Sequence, residues 1–181
     1  MNPSDSVKQL TFSAMLAALT FLGTFILRIP MPVLGYIHIG DAFVLLSGAI
    51  LGPLYGGLAA ATGAMLADLL GGYAAWMPGT FVIKFLMAAV VAAILRFPKG
   101  KKHILTLLAG AAGEIVMCIG YFLYDLFLLH LSGSGLAAAA ALSAAGIPLN
   151  MIQGIAGIIL AGLLMPVFQR LFAGTAAPSG N

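Results

Sequence analysis

Apolar positions along the chain gather into long stretches, separated by short breaks rich in Gly, Pro or Lys. A helix that crosses the hydrocarbon core of a bilayer needs about 20 apolar residues, within a range near 17–25. The first such stretch covers residues 7–28 and stops at the Pro30-Met31-Pro32 turn. A shorter one spans 41–51, is interrupted by Gly52-Pro53, and resumes over 54–70. Gly71-Gly72 and Pro78-Gly79 bracket a loop, after which 80–97 predicts a further helix. Pro98-Lys99-Gly100-Lys101-Lys102 is the clearest polar break, and a long span follows over 103–131. Residues 132–146 predict a short interfacial helix, and 147–172 the last span. The pattern predicts an all-α, polytopic membrane protein, a six-transmembrane-helix bundle forming one membrane domain over 1–181. The segment 41–51 is short for a crossing, so a re-entrant piece is the alternative there.

Composition removes the soluble reading. Of 181 residues, 62% are hydrophobic and 7% charged, with a mean hydropathy of +1.11. A soluble domain carries roughly 25% charged residues, and one of this length cannot hide so much apolar surface in a single core. The 23 glycines suit helices packed closely in lipid. Cys118 is the lone cysteine, so neither an intrachain disulfide nor a cysteine metal site is indicated. Neither a metal nor a cofactor is expected. The first apolar stretch is too long for the core of a cleavable signal and is followed by further spans.

Charge placement adds a direction. Lys8, Arg96, Lys99, Lys101, Lys102 and Arg170 fall on the side of the termini, whereas Arg28 and Lys84 fall toward the other. Basic residues accumulate on the cytoplasmic side, so both termini are expected inside a cell membrane. The net charge of +3 therefore carries no implication for nucleic acid.

Ionisable groups within spans are costly, by about 2.5–3.5 kcal/mol at the bilayer centre, and each asks for a reason. Asp41 opens the second helix, Asp68 lies near the end of the third, and Lys84 sits about one turn into the fourth. Glu114, Cys118, Tyr121 and Asp125 follow at helical spacing on one face of the fifth. Asn150, Gln153, Gly154 and Gly157 share a face of the last, and the loops add Arg28, Tyr36, His38, Tyr73 and Trp76. These groups gather in the outer third, as a pocket for a small, partly aromatic ligand requires. Arg28, Tyr36, His38, Asp68, Trp76, Lys84, Glu114, Tyr121, Asp125, Asn150 and Gln153 are the candidate substrate-binding residues. Plainer readings stand beside this one. Tyr73 and Trp76 fit an interfacial belt, Asp41 a helix N-cap, and Lys84 either snorkels or pairs with Asp68 or Asp41. Glu114 is either protonated or tied to a neighbouring helix. Charge balance favours a neutral or cationic heteroaromatic ligand over a bare anion.

Ala14 and Ala18 form a small-xxx-small step on the first helix, and Gly57, Ala61 and Ala64 form another on the third. Such steps serve either packing within the chain or docking of another membrane protein. No G-x-x-x-x-G-K-[ST] stretch is present, so a P-loop ATPase site is excluded. His130 and Ser132 carry no nucleophile motif, and a membrane enzyme has no support. A standalone small transporter or channel is the alternative function, although the halves show no obvious inverted repeat.

The stretch YIHIGDAFVLLSGAILGPLYGGLAAATGAMLADLLGGYAAWMPGTFVIKFLMA, residues 36–88, resembles the substrate-binding (S) components of energy-coupling factor (ECF) vitamin transporters. The likeness is to the riboflavin, hydroxymethylpyrimidine and pyridoxine group. Gly40-Asp41, Gly52-Pro53, Ala67-Asp68-Leu69, Gly72-Tyr73 and residues 80–84 carry it, as does the Ala14–Ala18 step. The resemblance implies six helices with cytoplasmic termini in a prokaryotic plasma membrane. It implies capture of a vitamin or precursor from outside. It also implies docking, through Ala14 and Ala18, to a transmembrane coupling protein that works with two cytoplasmic ATPases. The loop 30–39 would act as a lid, with Tyr36 and His38 as lid contacts.

Overall fold

The protein is described from a computed structural model, which covers residues 3–30, 35–96 and 102–174. Met31, Pro32 and most of the break around Pro98, including Lys99 and Lys101, lie outside the described residues. The helices are α1 (Pro3–Phe25), α2 (Asp41–Gly71), α3 (Met77–Leu95), α4 (Lys102–Leu131), α5 (Leu136–Ala145) and α6 (Ile147–Gly174). Five helical stretches among the described residues are long and apolar enough to cross a membrane: Ser6–Phe25, Asp41–Gly71, Met77–Leu95, His103–Leu131 and Leu136–Phe172. The chain is a multi-pass membrane protein.

One expectation needs correction. The all-α reading misses a small antiparallel hairpin, β1 (Ile29–Pro30) with β2 (Tyr36–Ile37), in which Ile29 faces Ile37 and Pro30 faces Tyr36. Because the chain turns extended there, α1 ends at Phe25 and Arg28 lies beyond it. The expected break at Gly52-Pro53 is present, and residues 41–71 fall into two helical segments that meet at Gly52.

That break is a reversal. Gly52 adopts φ 80° and ψ −176°, a conformation that glycine alone accepts without strain. Pro53 then starts the next segment without an N–H to satisfy. Residues 48 and 56 of a straight helix would stand about 12 Å apart along the axis. Here a Cβ on Gly56 would collide with the Ser47 carbonyl and the Gly48 Cα, so the two segments run back along each other. Gly48 in turn lies against the Ala88 carbonyl of α3. Residues 41–51 rise only about 16 Å and residues 53–71 about 28 Å, against a hydrocarbon core of about 30 Å. The reversal brings Asp41 and Asp68, from opposite ends of α2, to one end of the bundle, where the β-hairpin sits.

Two buried clusters fill the interior. Phe12, Leu16, Leu45, Leu46, Val91, Ala109 and Phe168 form one, toward the termini. Val44, Ala60, Ile83, Met87, Ala88 and Met117 form the other, joined by Tyr121 and Tyr124 at the hairpin end. The outward faces are apolar at helical spacing, with Ile115, Ile119, Leu123 and Phe127 on α4 and Met151, Ile155, Ile159 and Leu163 on α6 exposed. Such faces suit lipid.

Replacing Gly56 by Val should overpack the α2 reversal and destabilise the purified protein by about 1–3 kcal/mol. A lowered melting temperature in detergent is the expected outcome. Gly162→Ala, where nothing lies within 4 Å of the new Cβ, should leave the melt unchanged.

Candidate functional site

At the hairpin end a cavity of about 470 Å³, its open mouth included, lies between α2, α3, α4, α6 and the β-hairpin. Its wall carries Tyr36, His38, Asp68, Tyr73, Trp76, Thr80, Tyr121, Asp125, Asn150 and Gln153, with Thr24 and Gly35. Of the sequence candidates, Tyr36, His38, Asp68, Trp76, Tyr121, Asp125, Asn150 and Gln153 thus meet around one space. Arg28, Lys84 and Glu114 do not line it. A wider cleft, about 1150 Å³ by the same measure, opens at the opposite end between α3, α4 and α6. It is walled mainly by aliphatic side chains, whereas the hairpin-end cavity draws aromatic and polar groups together.

The wall is built in pairs. Tyr36 on β2 donates its hydroxyl to Asp68 Oδ1 on α2 at 2.6 Å. Trp76, one residue before α3, donates Nε1 to Asp125 Oδ1 on α4 at 2.8 Å. The Thr80 and Tyr121 hydroxyls lie 3.2 Å apart, linking α3 to α4. Tyr36 and Tyr73 have ring centroids 4.7 Å apart, and Tyr73 and Trp76 5.8 Å, a run of aromatic faces along one side. An interfacial belt would leave Trp76 hydrogen-bonded to water, but here it is tied across two helices. Both Asp68 Oδ2 and Thr24 Oγ1 are buried without a hydrogen-bond partner.

Behind the wall lies a buried ionic network. Lys84 on α3 hydrogen-bonds Asp41 Oδ1, and neither side chain has any exposed surface. Gln153 of α6 donates Nε2 to Asp41 Oδ2 at 2.6 Å and accepts the His38 backbone N–H on Oε1 at 2.8 Å. His38 Nδ1 accepts the Gly40 N–H at 3.0 Å, which leaves the ring proton on Nε2. Lys84 therefore neither snorkels nor reaches the cavity; it pairs with Asp41 rather than Asp68. Its ammonium lies 5.2 Å from the Tyr121 ring centroid. Asp41 makes no side-chain cap at the start of α2; its carboxylate is committed to Lys84 and Gln153. Burial, outweighing the attraction of Asp41, holds the His38 imidazole down to about 4. Burial, reinforced by Asp68, pushes the Tyr36 phenol above its ordinary value and keeps it a donor.

The remaining candidates fall elsewhere. Arg28 stacks its guanidinium on Phe25, 4.7 Å from the ring centroid, and rests against Gly71. Glu114 is buried between Gly154 and Gly157 of α6 and Asp41, and both its oxygens lack hydrogen-bond partners. Thr24, Gly35 and Thr80 line the cavity without being among the candidate binding residues read from the sequence, where Thr80 entered only as part of the stretch 80–84 that carries the resemblance. A threonine in an apolar helix ordinarily bonds its own backbone, as Thr20 does to the Leu16 carbonyl at 2.8 Å, so residue type gave no signal. Among the described residues no group of three metal-ligating side chains occurs.

A family model for the S component of ECF-type riboflavin transporters matches residues 4–170. The chain belongs to that family. This S component is a substrate-binding subunit of a transporter and not an enzyme. It is 35% identical over 149 residues to an uncharacterized protein of the gap 3′ region of Pyrococcus woesei, covering 81% of the chain and 92% of that protein. In fold it resembles the S component of a bacterial ECF transporter, with a TM-score of 0.67 and 24% identity over 94% of this chain and 99% of that one. It also resembles the S component for biotin of an ECF-type ABC transporter, with a TM-score of 0.60 and 19% identity over 90% and 94% of the two chains.

Two measurements check the network. Lys84→Met strands the Asp41 charge and should cost about 3–5 kcal/mol, whereas adding Asp41→Asn should recover much of that loss in a thermal melt. His38 should titrate near 4 by NMR. A folded value below the ordinary 6.5 means that protonation opposes the native state. Its contribution is complete above pH 6.5 and should be lost between pH 6.5 and about 4.

Proposed function

We propose that this S component captures a vitamin-sized molecule in the hairpin-end cavity, from outside the cell, for uptake driven by ATP on partner chains. The observation that carries the reading is the convergence of aromatic faces and placed polar groups on that one cavity, in a chain of this family. The description of the family names riboflavin, and one fold neighbour is an S component for biotin. Both are heterocyclic vitamins, and the aromatic faces of Tyr36, Tyr73 and Trp76 on the cavity wall suit a ring of that kind.

The orientation follows from charge. Lys8, Arg96 and Arg170 lie at the end opposite the cavity, Lys8 with its ammonium 5.2 Å from the Phe172 ring centroid. Lys99, Lys101 and Lys102 adjoin them in sequence. Under the positive-inside rule that end is cytoplasmic, with both termini, and the cavity faces out. Counting residues 41–51 and 53–71 as separate limbs of the α2 reversal gives six passages and an even topology, within one membrane domain over 1–181.

The partners are a transmembrane coupling protein and two cytoplasmic ATPases, as the resemblance implies, and this chain carries no P-loop of its own. The docking step is Ala14–Ala18. Phe12, Leu16 and Thr20 turn the other face of α1 inward, where Gly63 of α2 lies against the Ala17 carbonyl, while Ala14 and Ala18 are exposed. Gly57 packs on the Phe85 ring and Ala61 and Ala64 are buried, so the second small-residue stripe serves internal packing.

Ala14→Leu or Ala18→Leu should abolish co-purification with the coupling protein and ATPases while ligand affinity stays within twofold. In liposomes, uptake should require the whole module and ATP; sustained uptake by this chain alone would favour a standalone transporter.

A further inference from the structure

The cleft at the end opposite the hairpin takes no part in substrate capture as proposed above, yet it has the build of a binding site. It lies between α3, α4 and α6, with Leu45 of α2 on its wall, and measures about 1150 Å³ with its open mouth included. Leu45, Val91, Leu107, Ile158 and Met165 make the walls apolar. His103, Thr106 and Gln169 add polar groups where α4 begins and α6 nears its end. Ile158 and Gln169, both on the wall, stand about 16 Å apart along α6, and one leaflet of the hydrocarbon core is about 15 Å deep. The cleft therefore runs from the end of the bundle to mid-bilayer depth, the reach of one acyl chain, and its aliphatic walls offer contacts along that whole length.

The rim selects the headgroup. Arg96 follows Leu95 of the wall at the end of α3, with its guanidinium beside Gly52, and Arg170 follows Gln169 on α6; both are exposed. At the same rim α4 starts, with no acid in its first turn, so the positive end of its dipole lies there. Of the five acids in the chain, Asp41, Asp68 and Asp125 belong to the hairpin end, and Glu114 is buried between α4 and α6. Asp5 alone falls near this end in sequence. An anionic headgroup here meets arginines and helix N–H groups, whereas a zwitterionic one brings its own cation beside them. Basic pockets between transmembrane helices on the cytoplasmic side hold anionic headgroups in this way.

We propose that this cleft is a binding site for an anionic phospholipid of the cytoplasmic leaflet. One acyl chain lies between α3, α4 and α6, and the phosphate sits at the rim that carries Arg96 and Arg170. The site is independent of whatever the hairpin-end cavity binds. The leaflet follows from the orientation proposed above, whereas binding in detergent does not depend on it.

The test is native mass spectrometry of the purified full-length protein, delipidated and then titrated with dioleoyl phosphatidylglycerol or dioleoyl phosphatidylcholine. One phosphatidylglycerol should be retained per protein, at least tenfold more than phosphatidylcholine at the same concentration. Excess glycerophosphoglycerol, the headgroup without chains, should leave that retention within twofold. Gly162 lines the cleft, and nothing lies within 4 Å of a Cβ added to it. Gly162→Leu should therefore cut retention tenfold or more while the lipid-free melting temperature stays unchanged. Arg96→Gln combined with Arg170→Gln should bring the two lipids within threefold of each other. Equal retention of both lipids by the unaltered protein, full retention by Gly162→Leu, or displacement by glycerophosphoglycerol overturns the proposal. Loss of co-purification with the coupling module in Gly162→Leu, with lipid retention intact, also overturns it and makes the cleft a protein-docking groove. Should Gly162→Leu not fold, the two lipids on the unaltered protein and on the double arginine variant still decide.

Discussion

A lysine ammonium and an aspartate carboxylate, neither with any exposed surface, meet between α3 and the first turn of α2, inside a protein whose own solvent is largely lipid. Each charge alone would be among the costliest groups in the chain, because neither water nor headgroups reach it. Together, with Gln153 on the second carboxylate oxygen, they become tolerable only in one mutual arrangement of α2, α3 and α6. A buried pair of this kind adds little net stability over an apolar substitute, yet it penalises every arrangement that separates the partners. Its value here is registry. Lys84 fixes how far α3 slides past α2, and Gln153 passes the constraint on to the His38 backbone, from which β2 hangs over the cavity. The side chains on the cavity wall are free to face a ligand because the strongest charge in their neighbourhood is already committed.

That arrangement depends in turn on the reversal at Gly52. Were 41–71 a straight helix, Asp41 and Asp68 would stand about 40 Å apart, and a single cavity could not use one as scaffold and the other as wall. The left-handed glycine followed by proline is a purely local device, but it decides which residues become neighbours. Gly48 and Gly56 complete it by removing the side chains that would hold the limbs apart.

Much of this was legible in the sequence because lipid imposes a simple rule: apolar stretches must be long, and polar groups inside them must be excused. Helix positions, the break at Gly52-Pro53, the short helix in 132–146 and most of the residues that meet at the cavity follow from spacing alone. Three features did not. Lys84 has the same depth and helical phase whether it faces a ligand or Asp41, and only the reversal of α2 settles which. Thr24 and Thr80 look like ordinary helix threonines, and their place on the wall depends on how α1 and α3 rotate about their axes. The β-hairpin involves two residues on each side, too few for any periodicity to register.

Glu114 and Asp68 show how far position alone carries. Both are acids on apolar helices, both are buried, and both have carboxyl oxygens without partners. They differ in what lies in front of them. Asp68 opens onto the polar, aromatic cavity, whereas Glu114 lies against Gly154 and Gly157 on the wall of an apolar groove between α4 and α6, and the missing side chains of these glycines let α6 approach α4 closely. A larger residue at either glycine would push α6 away, and Asn150 and Gln153 one turn further along would move with it. Glu114 therefore bears on the site through helix spacing, and Asp68 through direct exposure to whatever the cavity holds.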